Sequence, residues 1–288
     1  MTISKLRALA TTPAHNRRKS TRIAFHAFLK HVLPRRGRSG ARHDYLLQRD
    51  DIGIRLADGH DNIDQVGMLV TRMYRSRGYL VPVSEASPSD WIRRVTLEAC
   101  YKNRTVGTLT VNLGTSEGLQ AEALYGEEIV EFRRAGARPC EFTRLALDAE
   151  ECSKEALACL FHLGYIFAYR IHRASDVFVE VNPRHALFYR RKLGFAQIGA
   201  QKVCPRVNAP AVLLHKRLDV VAAELARLGG VRTPENKSFY ALGLSPAEES
   251  GLVRSIEHLL AESGLALDAR TQGRDAPRHA IADLAHSA

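Results

Sequence analysis

The chain lacks the glycine patterns that cradle phosphates. Neither GxGxxG after a strand candidate nor GxxxxGK[ST] occurs, so dinucleotide and P-loop readings have no sequence basis. GxSxG is also missing, which removes the simplest serine-hydrolase argument. His162, His172 and His185 form no HExxH or HxxxH, and Cys100, Cys140, Cys152, Cys159 and Cys204 have no metal-ligand spacing, so no metal is expected. The odd, scattered cysteines suit reduced and mostly buried thiols in the cytoplasm. No basic start leads into an apolar segment with a small-residue cleavage site, as a signal peptide requires. No apolar run approaches the roughly 18 residues of a membrane span.

What is present is positive charge: 42 Lys and Arg against 31 Asp and Glu over 288 residues, a formal +11. Such a field favours acidic partners: nucleic acid, an anionic membrane, a phosphorylated cofactor or an acidic carrier protein. Eleven of these cations, including Arg17, Arg18, Lys19, Arg35 and Arg36, fall within the first 42 residues. Residues 1–48 therefore read as a basic, partly helical leader. It is either a flexible arm or edge helix, or a contact for a carrier protein or for the inner membrane at its periphery. A nucleic-acid-binding or regulatory protein would need a recognition helix or stacking surface beside those arginines. The sequence offers neither, so no nucleic-acid partner is expected.

Hydrophobic periodicity organises the remainder. Residues 50–218 read as one α/β domain, a mixed β-sheet flanked by helices. IGIRLA makes a first strand, and Ile63, Val66, Leu69, Val70, Met73 and Tyr74 stripe a helix. Trp91–Cys100 and Thr105–Leu113 form a hairpin around Asn103. Residues 119–134 are helical, Glu141–Leu147 is a strand, and Ser153–His172 is the longest helix with Ser153 as its N-cap. Val177–Val181 is a buried strand, Arg184–Leu193 a helix closed by Gly194, and Phe195–Ile198 and Ala211–His215 end the sheet. Residues 219–288 form a C-terminal helical extension, with helices over 220–228 and 246–263 and a disordered tail.

Two segments carry chemistry. In CEFTRLALD, Glu141 and Arg144 interrupt a buried strand, which is costly unless they pair or line a cleft. A regular pleat would send them to opposite faces, and a β-bulge between them would bring both into one cleft. They either do catalytic work there or hold neighbouring loops by salt bridges. In VNPRHALFYRRKLGF, Asn182 and Pro183 set a helix entry and Tyr189 sits on its inner face. Tyr189 either donates a proton to a leaving thiolate or packs as a structural tyrosine. Leu124, Phe132 and Tyr74 are candidates for an acyl or acceptor pocket, though helix packing explains Leu124 and Phe132 nearly as well.

The order of elements and the segment VNPRHALFYRRKLGF resemble the GNAT acyltransferase superfamily. CEFTRLALD and the helix end MYRSRGY resemble more closely its N-acyl amino acid synthases, relatives of the acyl-homoserine-lactone synthases, over roughly residues 52–218. The resemblance implies a GNAT-like fold and transfer of a long fatty acyl group from a thioester to the α-amine of an amino acid acceptor. It implies Glu141, Arg144 and Tyr189 as catalytic residues. The superfamily's usual pyrophosphate loop is replaced here by AEECSKEA, whose Glu150, Glu151 and Glu155 repel a diphosphate. No permanently bound cofactor is then needed. The donor is an acyl-phosphopantetheine thioester, on an acyl carrier protein or on coenzyme A. Arg184 and Arg190, with Asn182, are the donor-side candidates, and Arg170, Arg173 and Arg191 extend that basic group. A lactone synthase or another GNAT acyltransferase is the alternative. Against the first, Tyr79–Glu85 lacks the acidic pair expected for S-adenosylmethionine.

Overall fold

The computed structural model describes residues 45–49, 51–57, 60–80, 94–114 and 118–262. Most of the basic arm, the tail after residue 262 and the Trp91 end of the hairpin lie outside them. Nine strands form one sheet: β1 (Leu47–Arg49), β2 (Ile52–Leu56), β3 (Arg94–Tyr101), β4 (Arg104–Asn112), β5 (Pro139–Leu147), β6 (Asp176–Val181), β7 (Ala196–Gln197), β8 (Lys202–Cys204) and β9 (Ala209–Arg217). Their order is β1-β2-β3-β4-β5-β6-β9-β7, with β8 also pairing β9. Every pairing is antiparallel except β5 with β6. A β-hairpin turn can join antiparallel strands, but parallel ones need a crossover, here the long helix after β5.

The helices are α1 (His60–Arg75), α2 (Glu122–Arg134), α3 (Lys154–Tyr165), α4 (Pro183–Leu193), α5 (Leu218–Leu228) and α6 (Pro246–Glu262). Local chemistry sets their ends. The Ser153 hydroxyl accepts from the Ala156 amide, and the Asn182 side chain accepts from Arg184. Gly194, at φ +70°, closes α4 in the left-handed region that glycine reaches without penalty. The β3–β4 turn uses Lys102 and Asn103, both at positive φ, as a tight two-residue hairpin requires. The predicted helix to His172 is α-helical only to Tyr165; Ile166–Ile171 continue it as a π-helix.

Strand alternation divides the sheet into two unlike faces. Val95, Leu97, Leu109, Val111, Cys140, Phe142, Val177 and Val179 point to one side, where α3, α4, α5 and α6 complete the main core. On the other side α1 packs Val66, Leu69 and Val70 against Ala57 and Ala146, while α2 packs Tyr125 and Ile129 against Phe178 and Leu213. Between those two helices this second face is polar. The C-terminal segment docks on the core side. There His162 takes a hydrogen bond on Nδ1 from the Leu244 amide, so its Nε2 donates to Glu249, which also pairs with Arg170. Among the described residues no helix is long and apolar enough to cross a membrane.

Candidate active site

The sheet opens where the parallel pair ends. β5 and β6 pair only through Pro139↔Asp176, Cys140↔Val177 and Glu141↔Phe178. Both strands run on, to Leu147 and Val181, without pairing with each other. That leaves a wedge with facing backbone edges. On the far side of β5, Thr110 opposes Thr143 and Thr108 opposes Ala146, so Leu109 faces both Arg144 and Leu145. This is the bulge that the charged positions call for, and Arg144 occupies it at φ +51°.

Register then assembles a polar row on the second face. Arg94, Asn112, Glu141 and Phe178 are successive cross-strand partners, and Thr96, Thr110 and Thr143 form the next row. Glu141 is only 1% exposed. Its Oε1 accepts from Asn112 Nδ2 at 2.7 Å and from the Gln120 amide at 2.7 Å, and its Oε2 accepts from the Ala121 amide at 3.0 Å. The carboxyl thus ties the entry of α2 to the sheet. Burial pushes its pKa up, and the three donors oppose that shift.

Arg144 makes no ion pair or hydrogen bond among the described residues, and it does not pair with Glu141. Burial, with the neighbouring Arg94 guanidinium second, pushes its pKa below the ordinary arginine range, while Tyr74 opposes this. Arg94 also lacks a carboxylate partner among the described residues. Two guanidinium groups near one another, neither paired with a carboxylate among the described residues, leave positive charge available to an anion. Tyr74, at the end of α1, lies in the field of Arg144, Arg206, Tyr79 and Glu180, and burial raises its pKa.

Tyr189 approaches from the core side. It is 4% exposed and packs edge-on against Phe161, Phe188 and Phe195. Its hydroxyl makes no hydrogen bond among the described residues, and burial raises its pKa, so it keeps its proton at neutral pH. The other sequence candidates are dispersed. Asn182 caps α4 and donates to the Pro210 carbonyl. Arg184 and Arg190 are exposed on α4, and Arg184 lies 5.1 Å over the Tyr79 ring. Leu124 and Phe132 pack in the apolar cluster beneath α2, Phe132 edge-on to Phe178 at 5.2 Å. Of the donor-side cations, Arg170 is already spent on Glu249.

One acid escaped the sequence reading. Glu180 stands on β6 two residues beyond the last paired position, Phe178, and so on the same face as Glu141. Its Oε1 pairs with Arg206 at 2.9 Å, and Arg206 also donates to the Gln120 carbonyl. In VFVEV a lone glutamate reads as the outward residue of a strand, and its partner is 26 residues away.

The start of α3 offers little to an anion. Asp148 accepts from the Glu150 amide through its side chain and from the Glu151 and Cys152 amides through its carbonyl. Asp148 and Glu151 are themselves paired with Arg72 and Arg104. The profile of the family described as N-acyl amino acid synthase FeeM matches residues 65–217 of this chain. The chain belongs to that family. The structure of FeeM, an N-acyl amino acid synthase from uncultured soil microbes, is 25% identical to it. The match covers 58% of this chain and 91% of that one, with a TM-score of 0.52. A ribosomal-protein-S5-alanine acetyltransferase from Vibrio fischeri matches at 13% identity over 60% and 96% of the two chains, TM-score 0.43. An acyl-CoA N-acyltransferase from Pseudomonas aeruginosa matches at 11% over 58% and 98%, TM-score 0.38. No curated protein matches the chain in sequence. As a member of the FeeM family, the protein is an N-acyltransferase. The splayed strands, the bulge, Arg144 and Tyr189 all fall inside the FeeM match, whereas α5 and α6 follow it.

Proposed function

We propose that the protein moves a long-chain fatty acyl group from the phosphopantetheine thioester of an acyl carrier protein to the α-amine of an amino acid. The observation that carries this reading is the wedge between β5 and β6, with the unpaired Arg144 guanidinium in the bulge of β5 and a protonated Tyr189 on the core side, its hydroxyl in the field of Tyr74. An amide-bearing pantetheine arm can satisfy the free strand edges as a short added strand would. Arg144 is suited to the acceptor carboxylate, with Arg94 reinforcing the positive field. Tyr189, whose hydroxyl keeps its proton, hands that proton to the departing sulfur. Glu141 orients the acceptor-side loop through its three hydrogen bonds.

The carrier-protein donor is favoured over coenzyme A by the segment leading into α3, where the amides of Glu150, Glu151, Cys152 and Ala156 are already bonded and Asp148, Glu150, Glu151 and Glu155 put four carboxylates within eight residues. The exposed Arg184, Arg190, Arg191 and Lys192 on α4 match an acidic carrier. Purified protein given matched acyl-carrier-protein and acyl-CoA donors with an amino acid mixture should release thiol and an N-acyl amino acid, faster from the carrier and less so at high salt. Mass spectrometry finding no acylated amino acid from either donor would overturn the proposal. In the same assay Tyr189→Phe should lower kcat severalfold at unchanged KM. No change would leave the ring a packing role only.

A further inference from the structure

We infer that Glu180 is the carboxylate that receives the acceptor's amine and takes its proton. This rests on the amino-acid acylation proposed above and assigns the base within that site. The resemblance to relatives points to Glu141, but Glu141 already accepts three hydrogen bonds at 1% exposure. A carboxylate has about four lone-pair sites, so little capacity remains there. Glu180 is in the opposite condition. Its side chain is only 10% exposed, Oε1 is held by Arg206, and Oε2 is buried and makes no geometric hydrogen bond among the described residues, with only the weak donor of the Cys204 thiol beside it. A buried, unsatisfied charged oxygen is costly and marks a place where a donor is missing.

Position favours the same assignment. Glu180 lies beyond Phe178, the last residue that β6 pairs with β5, so it stands on the stretch of β6 that borders the wedge while its other edge still pairs Leu213 of β9. It shares a face with Arg94 and Glu141 and lies in the field of Tyr74, which Arg144 also reaches. An amino acid anchored by its carboxylate at Arg144 therefore has an acidic oxygen across the cleft for its ammonium. The groups facing Glu180 are Arg206 and Cys204 from the β8–β9 segment, Tyr74 from α1 and Tyr125 from α2. The Cys204 thiol is pushed up by burial and by Glu180 itself, and so stays neutral.

The step balances without a further reactant. The ammonium gives one proton to Glu180, which passes it to solvent. The free amine then attacks the thioester carbonyl, the C–N bond forms and the C–S bond breaks. The second amine proton ends on the sulfur, relayed through Tyr189. Glu180→Gln retains a carbonyl oxygen for Arg206 but cannot take a proton. With an amino acid acceptor, kcat should fall by roughly 100-fold. The residual rate should climb with pH as free amine accumulates, while wild type levels off earlier. Hydroxylamine, already neutral at pH 7, should lose far less. Glu180→Asp keeps the charge for folding but withdraws the oxygen, and should also lose kcat, with a thermal unfolding profile like wild type. Equal rates for wild type and Glu180→Gln, or equal losses with both acceptors, would remove Glu180 from this role and leave the acylation standing. A wild-type protein that makes no product removes both.

Discussion

Glu141→Ala should unfold at markedly lower urea concentration than wild type, by about 3–5 kcal/mol. The sequence alone leaves two readings open, an acid that does catalytic work in the cleft or one that holds neighbouring loops, and only the second predicts such a loss of stability. The structure gives that carboxylate three donors: the Asn112 amide group and the backbone N–H groups of Gln120 and Ala121. Alanine strands all three in a site with almost no access to water. It also releases the segment entering α2, whose Tyr125 is fully buried and donates to the Ala200 and Ala211 carbonyls. Glu141→Gln should fall between, because its NH2 group must face a backbone donor. Chemical denaturation followed by circular dichroism decides the matter: a mutant that melts like wild type yet is inactive would return Glu141 to a directly chemical role.

Arg144→Gly should dissociate binding from stability. Removing the guanidinium deletes the charge-assisted contact with the acceptor carboxylate, worth about 1.5–3 kcal/mol, so KM for the amino acid should rise roughly 10- to 100-fold. The fold should not suffer. Arg144 sits at φ +51°, where a side chain costs about 1 kcal/mol that glycine avoids. Its charge is also buried beside Arg94 without compensation. The expected outcome is an unfolding midpoint at or above that of wild type with a severely weakened acceptor KM. An unchanged KM would mean that the carboxylate binds elsewhere.

These results separate what the sequence displays from what only the fold assembles. The helices were legible because their signals are local: Ser153 and Asn182 as caps, Gly194 as a stop, and stripes such as Val66, Leu69 and Val70. The bulge at Arg144 followed from a conflict between strand period and charge placement. Less legible was anything set by register. Arg94 and Glu141 share a row only because β3, β4 and β5 align Arg94, Asn112 and Glu141 across the sheet. The Glu180–Arg206 pair joins a strand to a loop, and the three-residue strand β8 is too short to show a period. The π-helical turn also has no sequence signal of its own; its residues continue the same apolar stripe as α3.

The brief parallel pairing of β5 and β6 has a mechanical consequence. Three residue pairs join two antiparallel halves, so the seam between them is the shortest pairing among the inner strands β2–β6 and β9. A donor tail lying in that seam would knit the halves together. Amide hydrogens along Phe142–Leu147 and Val179–Val181 should then exchange with solvent more slowly once acyl-pantetheine is added, while those of the β3–β4 ribbon keep their pace. Substrate occupancy would thus be readable as stiffness, before any bond is made or broken.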